Sequence, residues 1–201
     1  PASAPWLVST GKLELGRWHH VAATLDRATG AGRLYLDGAA DRATTFPAVE
    51  ADPASPLVFG RASWTNNYHL RGALDEALLD ARVWPPAEIA ADYQSFAPPP
   101  PGGPLGRWSF DETVSSASTT LADSSGAGHP ISIAGSRHQA IAGVAGAARW
   151  FAGWPDQATV SGSVASESFS FSAWIRLETA PQGWGVVVSV HDGGWNGWFL
   201  G

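Results

Sequence analysis

The chain has 201 residues, of which 44% are hydrophobic and only 15% charged, a balance that favours a packed globular core over disorder. Its net charge is −6, its pI lies near 5.4 and it has no Lys/Arg cluster, which argues against a nucleic-acid surface. It has no cysteine, which excludes disulfides, thiolate metal sites and a thiol nucleophile, and no apolar run approaches the ~18 residues needed to span a bilayer.

In chain order, His20 to Asp26 alternates with Val21, Ala23 and Leu25 on one face, and Arg33 to Asp37 places Leu34 and Leu36 in the same way. Both stretches predict half-buried strands. Arg27 to Gly32 between them carries two glycines and reads as a hairpin loop, and Asp37-Gly38 is a further turn. Leu57-Val58-Phe59 is a short strand after Pro56, and Gly72 to Trp84 holds a long one. Pro85-Pro86 gives a rigid start to one short helix near 86–96, with Ile89, Tyr93 and Phe96 on one face. Pro98 to Pro104 is a proline- and glycine-rich linker. Beyond it, Phe169, Phe171, Ala173, Ile175 and Leu177 alternate with Ser170, Ser172, Trp174 and Arg176, the pattern of a strand with one buried face. Val186 to Val190 is another strand, ended by His191-Asp192-Gly193-Gly194. Many short strands between Gly/Pro turns predict an all-β sandwich, and no period of 20–50 residues suggests a solenoid.

Three motifs lie in the first part of the chain: Gly16-Arg17-Trp18-His19-His20-Val21-Ala22, Arg33-Leu34-Tyr35-Leu36-Asp37-Gly38 and Gly72-Ala73-Leu74-Asp75-Glu76. They resemble the second half of a laminin G-like jelly roll of the concanavalin A-like lectin superfamily. Gly106-Arg107-Trp108-Ser109-Phe110-Asp111-Glu112, Asp123-Ser124-Ser125-Gly126-Ala127-Gly128-His129 and the strand at 169–177 resemble the first half. The resemblance implies a jelly-roll β-sandwich of two antiparallel sheets whose halves, residues 1–97 and 105–201, stand in circularly permuted order about the linker at 98–104. The two halves either form one sandwich together or are each completed by a neighbouring copy. Joining them within one chain avoids a bimolecular entropy loss.

The same resemblance implies a further strand between Gly201 and Pro1, which the sequence lacks. An edge left open in this way recruits a strand from elsewhere. Self-association through the terminal strands is therefore expected, with Trp6 to Ser9 and Trp195 to Leu200 lining the contact. The chain starts at Pro1 with no signal peptide and reads as a mature piece of something longer. Its abundance of Ala, Gly, Pro and Arg points to a GC-rich bacterial genome. A secreted or cell-surface setting is expected.

In relatives, the Asp123 to His129 loop holds calcium together with the acidic pair before the last long strand, here Asp75 and Glu76. Calcium wants six to eight hard oxygens, and a glycine-rich loop can turn its carbonyls inward. Asp123, Asp75, Glu76 and His129 are therefore candidate ligands of a structural calcium. In the alternative, Asp123 makes an Asx-turn and needs no ion. His19 and His20 are adjacent in a strand and face opposite sides, so they cannot share one metal.

Catalysis on this fold needs two carboxylates converging on one face. Asp75-Glu76 and Asp111-Glu112 are adjacent pairs pointing apart, and there is no Gly-x-Ser-x-Gly elbow. A non-enzyme is expected. Two clusters combine aromatics with amides, the composition that stacks a sugar ring and bonds its hydroxyls: Trp64, Asn66, Asn67 and Tyr68, and Trp184, Trp195 and Asn196. The alternative is that these aromatics cover the ends of the sandwich. The reading that follows is a lectin-like module of a secreted or surface protein, binding a glycan or a protein. The second reading is a subunit of an extracellular fibre or array assembled by strand complementation.

Overall fold

The computed structural model describes residues 7–47, 55–63, 65–95, 103–112, 118–164, 166, 168–179, 185–191 and 197–200. Among these residues the chain forms fourteen strands and one helix. The first part contributes β1 (Trp18–Asp26), β2 (Ala31–Leu36), β3 (Ala39–Thr45), β4 (Val58–Phe59), β5 (Arg71–Asp80) and α1 (Pro86–Ser95). The second contributes β6 (Gly106–Trp108), β7 (Ser118–Leu121), β8 (Ile131–Ala134), β9 (Gln139–Ala142), β10 (Ala147–Ala152), β11 (Gln157–Val160), β12 (Ser168–Leu177), β13 (Val188–His191) and β14 (Gly197–Leu200).

The strands make two antiparallel sheets, a jelly-roll sandwich. One sheet runs β3-β2-β1-β12-β5-β10-β9, with β6 also on β5; the other runs β14-β13-β4-β11-β8-β7. Long strand β12 lies between β1 and β5, so the two parts of the chain alternate within one sheet. The same alternation occurs where β4 sits between β11 and β13. Between the sheets, Phe59 is fully buried and its ring meets those of Trp108, Phe110 and Phe171 at centroid distances of 5.4, 5.8 and 6.3 Å.

Strand β12 departs from its predicted pattern. Phe169, Phe171, Ala173 and Ile175 face the core as expected, but Ser170 and Ser172 on the other face are also buried, each at 1% exposure. The cause is a second, smaller core over that face, made by Ala22, Tyr35, Leu78, Trp84 and Ile89. The Trp84 N–H donates to Ser170 Oγ at 2.7 Å, and Ser170 Oγ donates to the Arg82 carbonyl, so Ser170 is satisfied, while Ser172 Oγ on the same face is buried without a partner. Helix α1 is pinned by Tyr93, which stacks on Trp174 at 5.4 Å, and by Asp92, whose Oδ2 lies 3.0 Å from His20 Nε2. His19 is held separately, with Nδ1 on Asp37 and Nε2 accepting the Glu14 N–H. Asp37 and Gly38 both have positive φ, 49° and 77°, as a tight β2–β3 hairpin turn requires. Phe96, expected on the helix face, lies outside the described residues.

Strand β5 carries a bulge that matters for the sites. Its pairing with β12 slips between Ser172 and Trp174, and Glu76 takes φ 47°. Before the bulge β5 pairs with β10, and after it with β6.

Candidate functional site

One end of the sandwich gathers the loop between β4 and β5, the β10–β11 turn and the stretch leading into β13. The β4–β5 loop is closed at its neck, where the Leu70 N–H donates to the Gly60 carbonyl at 2.8 Å. Gly60 has φ 84°, and a Cβ there would stand 3.2 Å from the Phe151 ring, so glycine is needed for both conformation and space. Inside the loop, Arg61 Nη1 donates to the carbonyls of Ala62 and Thr65 at 2.6 and 3.0 Å, and its Nε donates to Gln157 Oε1 on β11. Ser189 Oγ donates to the Arg61 carbonyl and accepts the Ser63 N–H, and the Val186 N–H donates to the Tyr68 carbonyl. The loop is thus anchored to β11 and β13, and its tip at 65–68 projects.

At that tip Asn66 and Asn67 are exposed and Tyr68 is 41% exposed. His69 Nε2 lies 3.0 Å from the Asn66 carbonyl, which braces the tip from one side. Five residues after the tip's first asparagine the chain enters β5 at Arg71, which pairs with Ala152 at the end of β10. The next turn, Gly153 to Asp156, is closed by the Asp156 N–H donating to the Gly153 carbonyl. Asp156 locks it further by accepting the N–H groups of Ala152 and Arg137. Trp154 stands out of this turn at 61% exposure. A Cβ on Gly153 would be 3.1 Å from Arg71 Cγ, so the turn lies against the arginine stem. Tyr68 and Trp154 are the exposed aromatics among the described residues; Arg71, three residues after Tyr68, lies with its stem against Gly153, next to Trp154.

Of the residues expected to bind a ligand, Asn66, Asn67 and Tyr68 share one exposed loop tip. Trp64, Trp184, Trp195 and Asn196 lie outside the described residues. Sequence reasoning missed Trp154; its signal was the Gly153-Trp154-Pro155-Asp156 turn, which puts a tryptophan at a tip where a core residue has no place.

The four candidate calcium ligands are placed differently. Asp123 accepts four hydrogen bonds: Oδ1 from the Arg107 N–H, the Ser125 N–H and Ser125 Oγ, and Oδ2 from the His129 N–H. These donors hold its carboxyl below the usual range although burial works against them. His129 Nδ1 faces the Ser161 carbonyl at 2.9 Å, and Glu76 pairs with Arg107 at 3.0 Å. Asp75 is fully buried in the β5 bulge and accepts amides from Glu76, Val144 and Ala145. Burial pushes its carboxyl up to about 7, against the pull of those amides. Among the described residues no three His, Asp or Glu side chains form a group that could hold a metal. The oxygens of Asp123 and Asp75 are occupied by N–H and O–H groups of the chain itself. Asp123 has the geometry of the Asx-turn alternative.

A further buried polar group escaped the sequence. Arg149 on β10 is fully buried beside phenylalanine-rich core, with only Nη2 satisfied, by the Glu112 carbonyl at 2.6 Å. Its Nε and Nη1, both ring nitrogens of His138 and Glu112 Oε2 are buried without partners.

Residues 2–90 match the laminin G family model described as the concanavalin A-like lectin/glucanases superfamily. The matched stretch holds β1 to β5, including both the Tyr68 loop tip and Arg71. No curated protein and no solved structure gives a significant match. No helix among the described residues is long and apolar enough to cross a membrane.

Proposed function

We propose that this chain is a non-catalytic, lectin-like binding module of a secreted or cell-surface protein, and that it takes a glycan on the rim formed by Asn66, Asn67, Tyr68 and Trp154. The observation that carries this reading is Trp154. A tryptophan left 61% exposed on a locked turn keeps its flat apolar face open to water, and a pyranose ring covers such a face by stacking. The two amides at the neighbouring tip supply donors and acceptors for hydroxyls. Both supports are pre-ordered by backbone hydrogen bonds, so little conformational entropy is lost on binding.

The matched superfamily includes lectins and glucanases alike, so the choice between binding and hydrolysis rests on the carboxylates. Asp75 is closed off by three amides, Glu76 by Arg107, Asp111 by the Ala147 N–H, and Glu112 Oε1 by the Ala122 N–H. None of these arrangements leaves an acid and a nucleophile facing one gap, which supports a binding role. The test is titration of the folded chain against a panel of oligosaccharides, repeated with Trp154→Ala. Saturable binding lost in the variant, with its melting temperature unchanged, supports the reading; no binding to any saccharide overturns it.

A second reading, assembly by strand complementation, is favoured by β14. It forms the edge of the six-stranded sheet, an arrangement open to an added strand. Light scattering across a range of concentrations distinguishes a monomer from a growing array.

A further inference from the structure

The side of the sandwich where both sheets end holds a polar cluster inside the fold. Strand β9 is the last of the larger sheet and β7 the last of the smaller one. Arg149 on β10 shares a strand face with the core residue Phe151, so its side chain points between the sheets. His138 precedes β9 by one residue. The register pairs Gln139 with Trp150 and Ala140 with Arg149, which sets His138 diagonally beside Arg149 on that inner face. Glu112 reaches in from the stretch after β6. Its carbonyl accepts from Arg149 Nη2 at 2.6 Å, and its Oε1 accepts the Ala122 N–H at 2.7 Å, just past the end of β7. The orphaned atoms of this cluster are Arg149 Nε and Nη1, both His138 ring nitrogens and Glu112 Oε2. Buried groups of this kind cost their full desolvation when left dry, and a charged group costs most. The Arg149 and Glu112 charges attract each other without reaching ion-pair distance, and those of Arg149 and Asp156 both reach His138. Polar groups that face one another across a gap wider than a hydrogen bond are the setting in which water bridges.

We propose that this cluster is an internal hydration site, in which a few ordered waters accept from Arg149 Nε and Nη1 and donate to Glu112 Oε2, with His138 completing the network. The inference goes beyond the binding reading above and does not depend on it. The inventory of donors and acceptors selects water over an anion. Arginine offers only donors, ionised Glu112 only acceptors, and neutral His138 one of each, so the guest must both accept and donate. An oxyanion satisfies Arg149 but stands against Glu112 and against Asp156, which is fully buried. Nε and Nη1 also share no open edge of the guanidinium, because Cδ lies between them, so one planar carboxylate cannot grip both. Burial, and after it the Arg149 charge, holds the His138 ring below the usual histidine range, which keeps it neutral. A buried water makes about three hydrogen bonds, and the three side chains supply partners for more than one. The network joins β10 of one sheet to the Glu112 segment beside β7 of the other, at the side where neither sheet continues.

The experiment is magnetic relaxation dispersion of the water oxygen in solutions of the whole chain, which detects waters held inside a protein for longer than it tumbles. The expected result is a long-lived water signal in the native chain that falls in Arg149→Met and falls in part in His138→Phe. Should Arg149→Met fail to fold, His138→Phe carries the same readout, since His138 is only half-buried as a residue. An unchanged signal in every variant that folds overturns the hydration site. Melting curves with added chloride or formate at constant ionic strength give a second arm. No shift in the native chain agrees with water as the guest. A rise in melting temperature in the native chain that is absent from the His138→Phe or Arg149→Met variant replaces water by an anion and overturns the proposal.

Discussion

Asp75 Oδ2 accepts the Val144 N–H at 2.7 Å, so a carboxylate buried in the β5 bulge closes the turn between β9 and β10. The same oxygen accepts the Ala145 N–H at 3.2 Å, and a Cβ on Gly143 would lie 2.4 Å from it. The contact spans 69 residues of sequence and links the two parts of the chain.

Its pH behaviour has a definite sign. Burial raises the folded carboxyl from 3.8 to about 7, so between these values the folded state holds a proton that the unfolded state releases. The contribution of Asp75 is fully present below pH 4 and is lost as pH rises through about 7. Melting curves from pH 5 to pH 8 should show the native chain losing stability relative to Asp75→Asn as pH increases. Parallel curves for the two proteins would show that Asp75 is ionised throughout.

The Asp123 loop should be insensitive to calcium. Adding calcium or a chelator is expected to leave the melting temperature unchanged, because the Asp123 oxygens are already occupied by N–H and O–H groups of the loop. Asp123→Ala strands the N–H groups of Arg107, Ser125 and His129 and should cost about 2 kcal/mol at neutral pH. Since its folded carboxyl is lowered, this stabilisation is present above pH 4 and fades as pH falls below it. A drop in melting temperature on chelation would reinstate the ion.

The aromatic cluster sets the core. Phe59 is fully buried against Trp108, Phe110 and Phe171, and Phe59→Ala should cost about 3–5 kcal/mol in urea unfolding. Phe59→Leu retains most of the volume and should cost less than ~1.5 kcal/mol. Similar midpoints for both variants would mean that the site collapses freely around the deletion.

Neither part of the chain should fold alone. Residues 1–97 contain β1 and β5 without β12, the strand that hydrogen-bonds to both. The fragment 1–97 is expected to lack amide dispersion in NMR, and mixing it with 105–201 should restore that dispersion. A cooperative thermal transition of 1–97 by itself would contradict the expectation.

Much of the architecture was legible in local patterning. The alternation at 20–26 and 169–177, the Asp37-Gly38 turn and the Pro85-Pro86 helix start each report a backbone preference that needs no distant partner. The strands at 131–134, 139–142 and 147–152 were not legible, since they are four to six residues long and rich in Ala, Ser and Gln. They are strands because neighbours distant in the chain complete their hydrogen bonds: β5 pairs with β10, β10 with β9, and β7 and β11 flank β8.

The sites divide along the same line. The exposure of Asn66, Asn67 and Tyr68 could be expected because a polar tip between strands is exposed by its own composition. The sequence alone established an all-β sandwich, its strong strands, its one helix and a loop that presents amides and an aromatic. Only the tertiary structure decided which face of β12 is covered, that Trp154 stands outside rather than in the core, and that the oxygens of Asp75 and Asp123 belong to backbone amides. Exposure and hydrogen-bond occupancy are set by groups far apart in the chain; the donors to Asp75 at Val144 and Ala145 become its neighbours only when β10 pairs with β5.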